Sequence, residues 1–396
     1  MSAAETAGAH HADVIVIGAG VVGSAAAYEL CRAGARTVLL ERTVPNRESS
    51  GTMAGNIHIQ AIHALRPGQD VPSDFTRFLP LQSAASGLWE TLAAELGADL
   101  ELRRAGGFMV AETDEQVAHL RLKWELEQRV GIRSTIMDGT AARAALPLLS
   151  QSVLAATYRA EDGYANPLKV GPAYLRAAQR LGLQLHHRMP VERIECEAGV
   201  YTLHAAGRRW RAPAVVNASG AWLDRVCRMA GIELRMAPTA LHMQVTERTG
   251  PSLPYLIQHI GEGMSVKQVV AGNILIGGGW PAALDLEGRS HTFSTSLFGN
   301  LRQARRILPF LGGLRLLRVW AGPFATTPDE LPVIGAVPGF PGFIVTGGSY
   351  GFTLAPLWGR VLCALALGRP SQVDLSGLGP DRLIGHPREA AGATIC

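Results

Sequence analysis

The chain has 396 residues, of which 47% are hydrophobic and 18% charged, and its formal net charge is +4. A chain of this length and apolar content is able to bury a large interior, which excludes intrinsic disorder as its main state and favours two domains. The small net charge and the lack of a basic tail argue against a nucleic-acid partner. The 45 glycines follow no repeat, so they are expected at tight turns or beside a large cofactor.

The cysteines and the apolar runs bear on metal binding and location. Five scattered cysteines without a CxxC pair favour neither a zinc site nor an iron–sulfur cluster, so we predict no metal and a reducing compartment. The apolar run at 14–17 is too short for a signal peptide, and the stretch at 351–368 contains an arginine and a proline. These features predict a cytoplasmic protein without a membrane span.

A nucleotide-binding signature opens the chain. The run at 13–17 predicts a buried parallel strand, Gly18, Gly20 and Gly23 begin the following helix, and a second apolar strand ends at Glu41. In this pattern the first glycine permits a tight turn, the second lets backbone N–H groups approach a pyrophosphate, and the third lets the helix pack on the strand. The acid accepts hydrogen bonds from an unphosphorylated ribose, which favours FAD or NAD over NADP.

Three later segments separate FAD from NAD. A polar, glycine-bearing loop at 47–56 follows the second strand, where a NAD dehydrogenase usually continues with regular βαβ units. Buried strands at 214–216 and 343–345 each lead into a glycine-rich turn. Cofactor-contacting segments at both ends of the chain predict a discontinuous cofactor domain with another domain inserted, and a helix N-terminus after the last turn would stabilise negative charge on a reduced flavin.

With these segments, the chain resembles the D-amino-acid-oxidase-like FAD oxidoreductases, in the branch of glycine oxidase, sarcosine oxidase β subunits and opine or amino-acid dehydrogenase subunits. The resemblance extends over about residues 12 to 370. It rests on DVIVIGAGVVGSAAAYEL at 13–30, ER at 41–42, ESSGTMAGN at 48–56, VVNASGAW at 215–222, RVWAGPFATTPDELPVIG at 318–335 and TGGSYGFTLAP at 346–356.

The resemblance implies an α/β fold, with a Rossmann-like FAD-binding domain and an inserted antiparallel-sheet α+β substrate domain. The implied FAD-binding domain comprises residues 12–83, 146–221 and 317–380. The substrate domain would comprise 84–145 and 222–316, and residues 381–396 would form a tail.

The resemblance also implies which residues meet FAD. They are Gly18, Gly20, Gly23, Glu41, Arg42, Ser49, Ser50, Asn56, Val191, Gly220, Gly348, Gly351 and Phe352. We expect the FAD to be non-covalent, because the motif at 318–335 has no cysteine and the loop at 49–56 has no histidine. His58 is the one residue that would overturn this expectation.

The implied reaction is hydride transfer to the flavin from the carbon next to an amine, after which the imine hydrolyses. The protein then has to orient the C–H bond, keep the amine unprotonated and hold the substrate carboxylate. Glycine-oxidase-like members usually carry an arginine two residues after the glycine of the WAG-type motif, and this chain has Phe324 there. The departure favours a larger substrate, such as a secondary amine.

The candidate catalytic residues each have a structural alternative. They are Tyr255, His259, Lys267, Arg318, Phe324 and Tyr350. Arg318 equally suits bracing of a helix-to-strand junction, and a histidine on a strand is often structural. His58 and His63 follow the flavin loop and either point into the site or are polar residues near it.

Two other functions stay open. A flavin monooxygenase shares the first motif, but such enzymes usually show Gly-Asp near the last flavin turn, where this chain has Gly347-Gly348-Ser349. The second alternative is a flavoprotein subunit of a hetero-oligomer that passes electrons to partner subunits.

Overall fold

The computed structural model describes residues 9–61, 73–250 and 252–384. In chain order its α-helices are α1 (Val21–Arg32), α2 (Ser49–Thr52), α3 (Ser73–Leu96), α4 (Asp114–Arg129), α5 (Gly139–Ala145), α6 (Pro167–Arg180), α7 (Leu223–Met229), α8 (Ser294–Ile307) and α9 (Gly351–Ala366). Short 3-10 helices occupy Gly220–Trp222, Pro309–Gly313 and Pro380–Leu383.

The strands follow in the same order. They are β1 (His10–His11), β2 (Val14–Ile17), β3 (Thr37–Leu40), β4 (Asn56–Ile57), β5 (Gly107–Ala111), β6 (Thr135–Asp138), β7 (Ala155–Arg159), β8 (Gly163–Tyr164), β9 (Gln184–His186), β10 (Val191–Glu197), β11 (Val200–Ala205), β12 (Arg208–Ala212), β13 (Ala214–Asn217), β14 (Ala237–Arg248), β15 (Leu256–His259), β16 (Ser265–Gln268), β17 (Asn273–Gly277), β18 (Pro281–Leu284), β19 (Ser290–Thr292), β20 (Leu316–Thr326), β21 (Val333–Ala336) and β22 (Phe343–Gly347).

A six-stranded sheet forms the centre of the nucleotide-binding half, in the order β21-β22-β13-β2-β3-β9. All neighbours are parallel except β21, which runs antiparallel to β22. Every residue of β2, β3 and β13 is buried, because both faces of the sheet are covered. Val14 and Val16 pack with helices α1, α6 and α9, and Ile15 and Ile17 pack toward β10–β12.

A second, larger sheet lies across the cofactor side. Its main path is β19-β18-β14-β17-β16-β15-β5-β7-β6, and β20 pairs with β14. The pairs are antiparallel except β15 with β5, which run parallel. Helix α8 and the turn after it pack on one face, through residues such as Ala304 and Ile307. The Rossmann-like fold with a second, mostly antiparallel sheet confirms the predicted fold class.

The domain boundaries stay a prediction. Helix α3 runs through the boundary expected at 83/84 and packs against α9 through Trp89 and Phe352. Strands β7 and β20 belong to the larger sheet, although the resemblance placed both in the FAD-binding domain. No helix in the described ranges is long and apolar enough to span a bilayer.

Candidate active site

A deep cleft opens at the carboxyl ends of the parallel strands β2, β3, β13 and β22, the place where open α/β sheets bind ligands. Eleven of the thirteen predicted cofactor residues line this cleft. They are Gly18, Gly20, Glu41, Arg42, Ser49, Ser50, Val191, Gly220, Gly348, Gly351 and Phe352. Gly23 and Asn56 lie outside the lining.

The glycine turn leaves no room for side chains. Gly18 has a φ of +99°, and a Cβ there would stand 2.7 Å from the Ala218 carbonyl oxygen. A Cβ on Gly23 would come within 1.9 Å of the Gly18 carbonyl oxygen, so this glycine acts in helix packing. Ser50 Oγ accepts a hydrogen bond from Val21 N–H at 2.8 Å. Helix α1 therefore begins at the cleft with its positive end directed into it.

Glu41 is buried where β3 ends. One carboxylate oxygen accepts a hydrogen bond from Ala19 N–H at 2.8 Å, and the other accepts one from Thr43 N–H at 2.8 Å. A carboxylate offers about four acceptor positions, so lone pairs remain for the hydroxyls of a ribose. Arg42, the next residue, stacks on the Trp222 ring at 3.8 Å and pairs with Glu48 at 3.1 Å.

The third glycine turn brings the start of α9 to the same cleft. Gly348 and Tyr350 have φ angles of +86° and +63°, and Tyr350, the N-cap residue of α9, makes no side-chain cap hydrogen bond. Gly351 and Phe352 line the cleft, so the positive end of a 16-residue helix faces it. Tyr350 itself is not in the lining and packs on Phe78, with ring centroids 4.8 Å apart.

Asn46 lines the cleft and was missed by the sequence analysis. Both polar atoms of its amide are buried and lack a hydrogen-bond partner among the residues that the structure describes. The amide packs against Gly171 of α6, where an added Cβ would lie 1.8 Å from Asn46 Oδ1, so Asn46 fixes the loop that borders the cleft against α6. The signal available in the sequence was Pro45-Asn46, a turn pair, and Asn46 indeed has a φ of +57°.

Phe324 is the one predicted catalytic residue that lines the cleft. Strand β20 holds it there by a close approach to α2: Trp320 Nε1 donates to the Thr52 carbonyl oxygen at 2.8 Å, and Ser49 Oγ donates to the Pro323 carbonyl oxygen at 2.5 Å. A Cβ on Gly322 would collide with the Thr52 side chain. The WAG-type motif therefore fits directly against the flavin loop predicted from the sequence.

Tyr255 and His259 lie away from the cleft lining. Tyr255 packs edge-on against Phe108 and Tyr158, with ring centroids 5.1 and 5.9 Å away. His259 Nδ1 accepts hydrogen bonds from the Gly261 and Glu262 amides, and burial lowers the pKa of its ring. These contacts hold the two side chains at the two ends of β15, within the larger sheet.

Lys267 lies behind the flavin loop. Its buried amine donates hydrogen bonds to the Ala54 carbonyl oxygen and to Asn56 Oδ1, and it lies 5.1 Å from the centre of the Tyr164 ring. Within the described ranges no carboxylate forms an ion pair with it, and burial holds its pKa well below the usual value. Asn56 in turn donates to Ser265 Oγ at 2.6 Å.

The remaining candidates are also outside the lining. Arg318 is exposed on β20, in register with Val245 of β14. The His58 backbone N–H donates to Thr353 Oγ1 at 3.1 Å. His63 lies outside the described residues. No group of three metal-binding side chains occurs in the described ranges.

Known proteins are similar to this chain over most of its length. The model of the FAD dependent oxidoreductase family matches residues 13–365. A glycine oxidase of Pseudomonas aeruginosa is 30% identical over 375 residues, covering 93% of this chain and 98% of that protein. An opine oxidase subunit of Rhizobium meliloti is 25% identical, covering 87% of this chain and 91% of that protein. The crystal structure of glycine oxidase from Geobacillus kaustophilus is 24% identical, with a TM-score of 0.83 over 95% of this chain and all of that one.

The cleft offers what an FAD molecule needs: the starts of helices α1 and α9, a glycine turn and a buried acid at the end of β3. With a family match over residues 13–365, this chain belongs to the FAD dependent oxidoreductase family and takes FAD as its cofactor.

Proposed function

We propose that the protein oxidises the C–N bond of an amine or amino acid, and that its substrate is a secondary amine such as an N-substituted amino acid. FAD held in the cleft would supply the hydride-accepting chemistry at the carbon next to nitrogen, and water would then hydrolyse the imine product. The observation that carries this proposal is Phe324, an apolar ring in the cleft lining. By the resemblance described above, glycine-oxidase-like sequences usually carry an arginine at this place in the WAG-type motif.

The cationic side chains in the cleft lining are three arginines at positions other than 324. Arg42 is committed to Trp222 and Glu48, beside the ribose-binding candidate Glu41. Arg47 and Arg225 line the cleft on the loop after β3 and on α7. A small amino acid binds mainly through its carboxylate, whereas Phe324 favours a substrate with an apolar or extended substituent on nitrogen.

The chain's own groups have positioning and electrostatic tasks. The start of α9 presents its positive end to the cleft, where it would stabilise negative charge on the bound cofactor. Phe324 and Met53 are apolar side chains of the lining and would limit the access of water to a bound substrate. Lys267 holds Ala54 and Asn56 in place through its two hydrogen bonds, and burial holds the pKa of its amine well below the usual value.

The test is an anaerobic visible spectrum of the FAD-loaded protein after addition of glycine, sarcosine, D- and L-proline and an opine, one at a time. We expect the flavin band to bleach with an N-substituted amino acid at concentrations where glycine has no effect. Bleaching by glycine ahead of all the others would contradict the proposed substrate class. Release of all FAD by acid would support non-covalent binding, and retention would contradict it.

A second candidate is a flavoprotein subunit that passes electrons to partner subunits. Similarity to the opine oxidase subunit of Rhizobium meliloti, across 91% of that protein, supports it. It predicts a yellow protein that none of these amines bleaches alone and that is bleached once its partners are added.

A further inference from the structure

The segment at 56–61 follows the flavin loop in the chain and contacts the larger sheet through hydrogen bonds of Asn56 and Gln60. Strand β4 begins it, pairing with β8, and the chain then leaves regular structure while remaining largely buried. Buried backbone N–H groups require acceptors even where no ladder supplies them. At 59, 60 and 61 these acceptors are carboxylates from distant parts of the chain.

Two fully buried acids provide them. Asp162, in the turn between β7 and β8, accepts hydrogen bonds from Ile59 N–H at 2.8 Å and Gln60 N–H at 3.4 Å. Glu127 on α4 accepts one from Ala61 N–H at 2.8 Å. Three consecutive amides are thus held by two side chains that lie about 35 residues apart in sequence.

A buried lysine and a glutamine join the two acids. Lys123 lies 2.8 Å from Glu127 and donates to Gln60 Oε1 at 2.8 Å. Gln60 Nε2 donates to Asp162 at 2.9 Å, and Thr157 Oγ1 donates to Gln60 Oε1 at 2.8 Å. In such a low-dielectric network each member orients the next, so the loss of one disturbs all of them.

The other end of the segment reaches the cofactor site. Asn56 contacts Lys267 and Ser265 on β16, and His58 N–H donates to Thr353 Oγ1. Thr353 follows Gly351 and Phe352, which line the cleft, at the start of α9. The position of the segment is therefore coupled to the start of α9 and, through the chain, to the flavin loop.

We propose that Asp162 and Glu127 are positioning residues of the FAD site, which fix the segment Asn56–Ala61 and through it the start of α9. This inference rests on the proposed function. Apolar residues of the same volume would pack equally well at 127 and 162 but would leave three buried amides unpaired. The two carboxylates therefore fix the backbone at 59–61, the part of the segment that has no strand partner.

The hydrogen bonds of Asp162 depend on its protonation state. Burial raises the pKa of Asp162 to about 6, while Lys123 opposes the shift and Glu127 adds to it. On its own strand and turn the ionisable neighbours are Tyr158, Arg159 and Glu161, and Arg159 pairs with Glu161. The Asp162 carboxylate accepts all its hydrogen bonds only when ionised, so its hold on the segment weakens as the pH falls through about 6.

The experiment compares D162N and E127Q with E29Q, all in the FAD-loaded protein. Glu29 is another buried acid, paired with Arg32 on α1, and it does not line the cleft. We expect D162N and E127Q to weaken FAD binding at least about tenfold, the scale of one lost charge-assisted hydrogen bond. We expect E29Q to lower the thermal midpoint without changing the FAD Kd.

A pH titration of the wild-type flavin spectrum supplies a measurement that does not depend on a variant folding. We expect a change with a midpoint near pH 6 that persists in E29Q and is abolished in D162N. A wild-type spectrum that is constant from pH 5 to 8, or folded D162N and E127Q with wild-type FAD Kd, would overturn the inference. Wild-type protein that binds no FAD would instead refute the proposed function.

Discussion

Glu41 and Ala19 are joined by a hydrogen bond of 2.8 Å, in which the carboxylate at the end of β3 accepts from the backbone N–H of the glycine turn. The same carboxylate binds Thr43 N–H, so one buried acid fixes both loops that border the cleft. A ligand hydroxyl that reaches Glu41 therefore meets an acceptor whose direction is already set.

The variant E41Q should bind FAD at least about tenfold more weakly, because an amide offers one acceptor atom and loses the charge. Its amide NH2 would also face a backbone N–H on one side. Titration of apoprotein with FAD, followed by flavin fluorescence, measures the change. The control E192Q alters an exposed acid of β10 and should keep the wild-type Kd. Equal Kd values for E41Q and wild type would contradict a ribose contact.

The variant F324R should convert the substrate preference. An arginine at 324 would place a bidentate carboxylate donor in the cleft, so the KM for glycine should fall by about tenfold or more while large N-substituted amino acids lose activity. Steady-state kinetics on both substrates gives the comparison. F324L keeps an apolar side chain and should retain the wild-type ranking. The proposal fails if F324R and F324L rank the substrates alike.

Lys267 should make the free energy of unfolding vary with pH between its folded and its unfolded pKa. Its folded pKa lies well below the usual value while its unfolded pKa is ordinary, so the unfolded chain binds more protons between the two values. Stability should therefore rise with pH through that window and be lost as the pH falls toward the folded pKa. K267M removes the titrating amine and places an uncharged side chain at the same buried position.

Urea unfolding of both proteins at pH 7 and pH 10 tests this. The free energy of unfolding should rise more between the two pH values in wild type than in K267M. Lys123 is buried in both proteins, so its contribution to the pH dependence cancels in the difference. Parallel pH profiles would show that Lys267 is charged in the folded protein.

Gly23 and Gly87 make a matched pair of glycine-to-alanine changes in helices. In G23A the new Cβ would overlap the Gly18 carbonyl oxygen, forcing α1 away from the glycine turn, so FAD binding and stability should both fall. In G87A the Cβ meets nothing within 4 Å, and because position 87 is exposed on α3 the substitution should stabilise the protein by up to about 1 kcal/mol. Thermal unfolding with and without FAD measures both, and a G23A protein that binds FAD normally would refute the packing role.

The nucleotide-binding half could be predicted in detail because its signals are local. Strand β2, the glycine turn, α1 and Glu41 lie within 29 residues, and each glycine is required by backbone geometry within that stretch. The two later turns were recognised for the same reason. Eleven of thirteen predicted cofactor residues line one cleft, because the carboxyl ends of parallel strands meet at the same edge of a sheet.

The candidate catalytic residues could not be ranked from the sequence, because their surroundings are formed by segments that are distant in the chain. Period-2 patterns tell which residues share a face of a strand but not what covers that face, so Tyr255, His259 and Lys267 were equal candidates in the sequence. Only the tertiary structure packs Tyr255 on aromatic rings and puts Lys267 behind the flavin loop. Asp162 meets Ile59 across 103 positions, a separation at which no local pattern indicates a partner. The sequence by itself determined the cofactor and the turns that hold it, whereas the packing of the two sheets decided which side chains reach it.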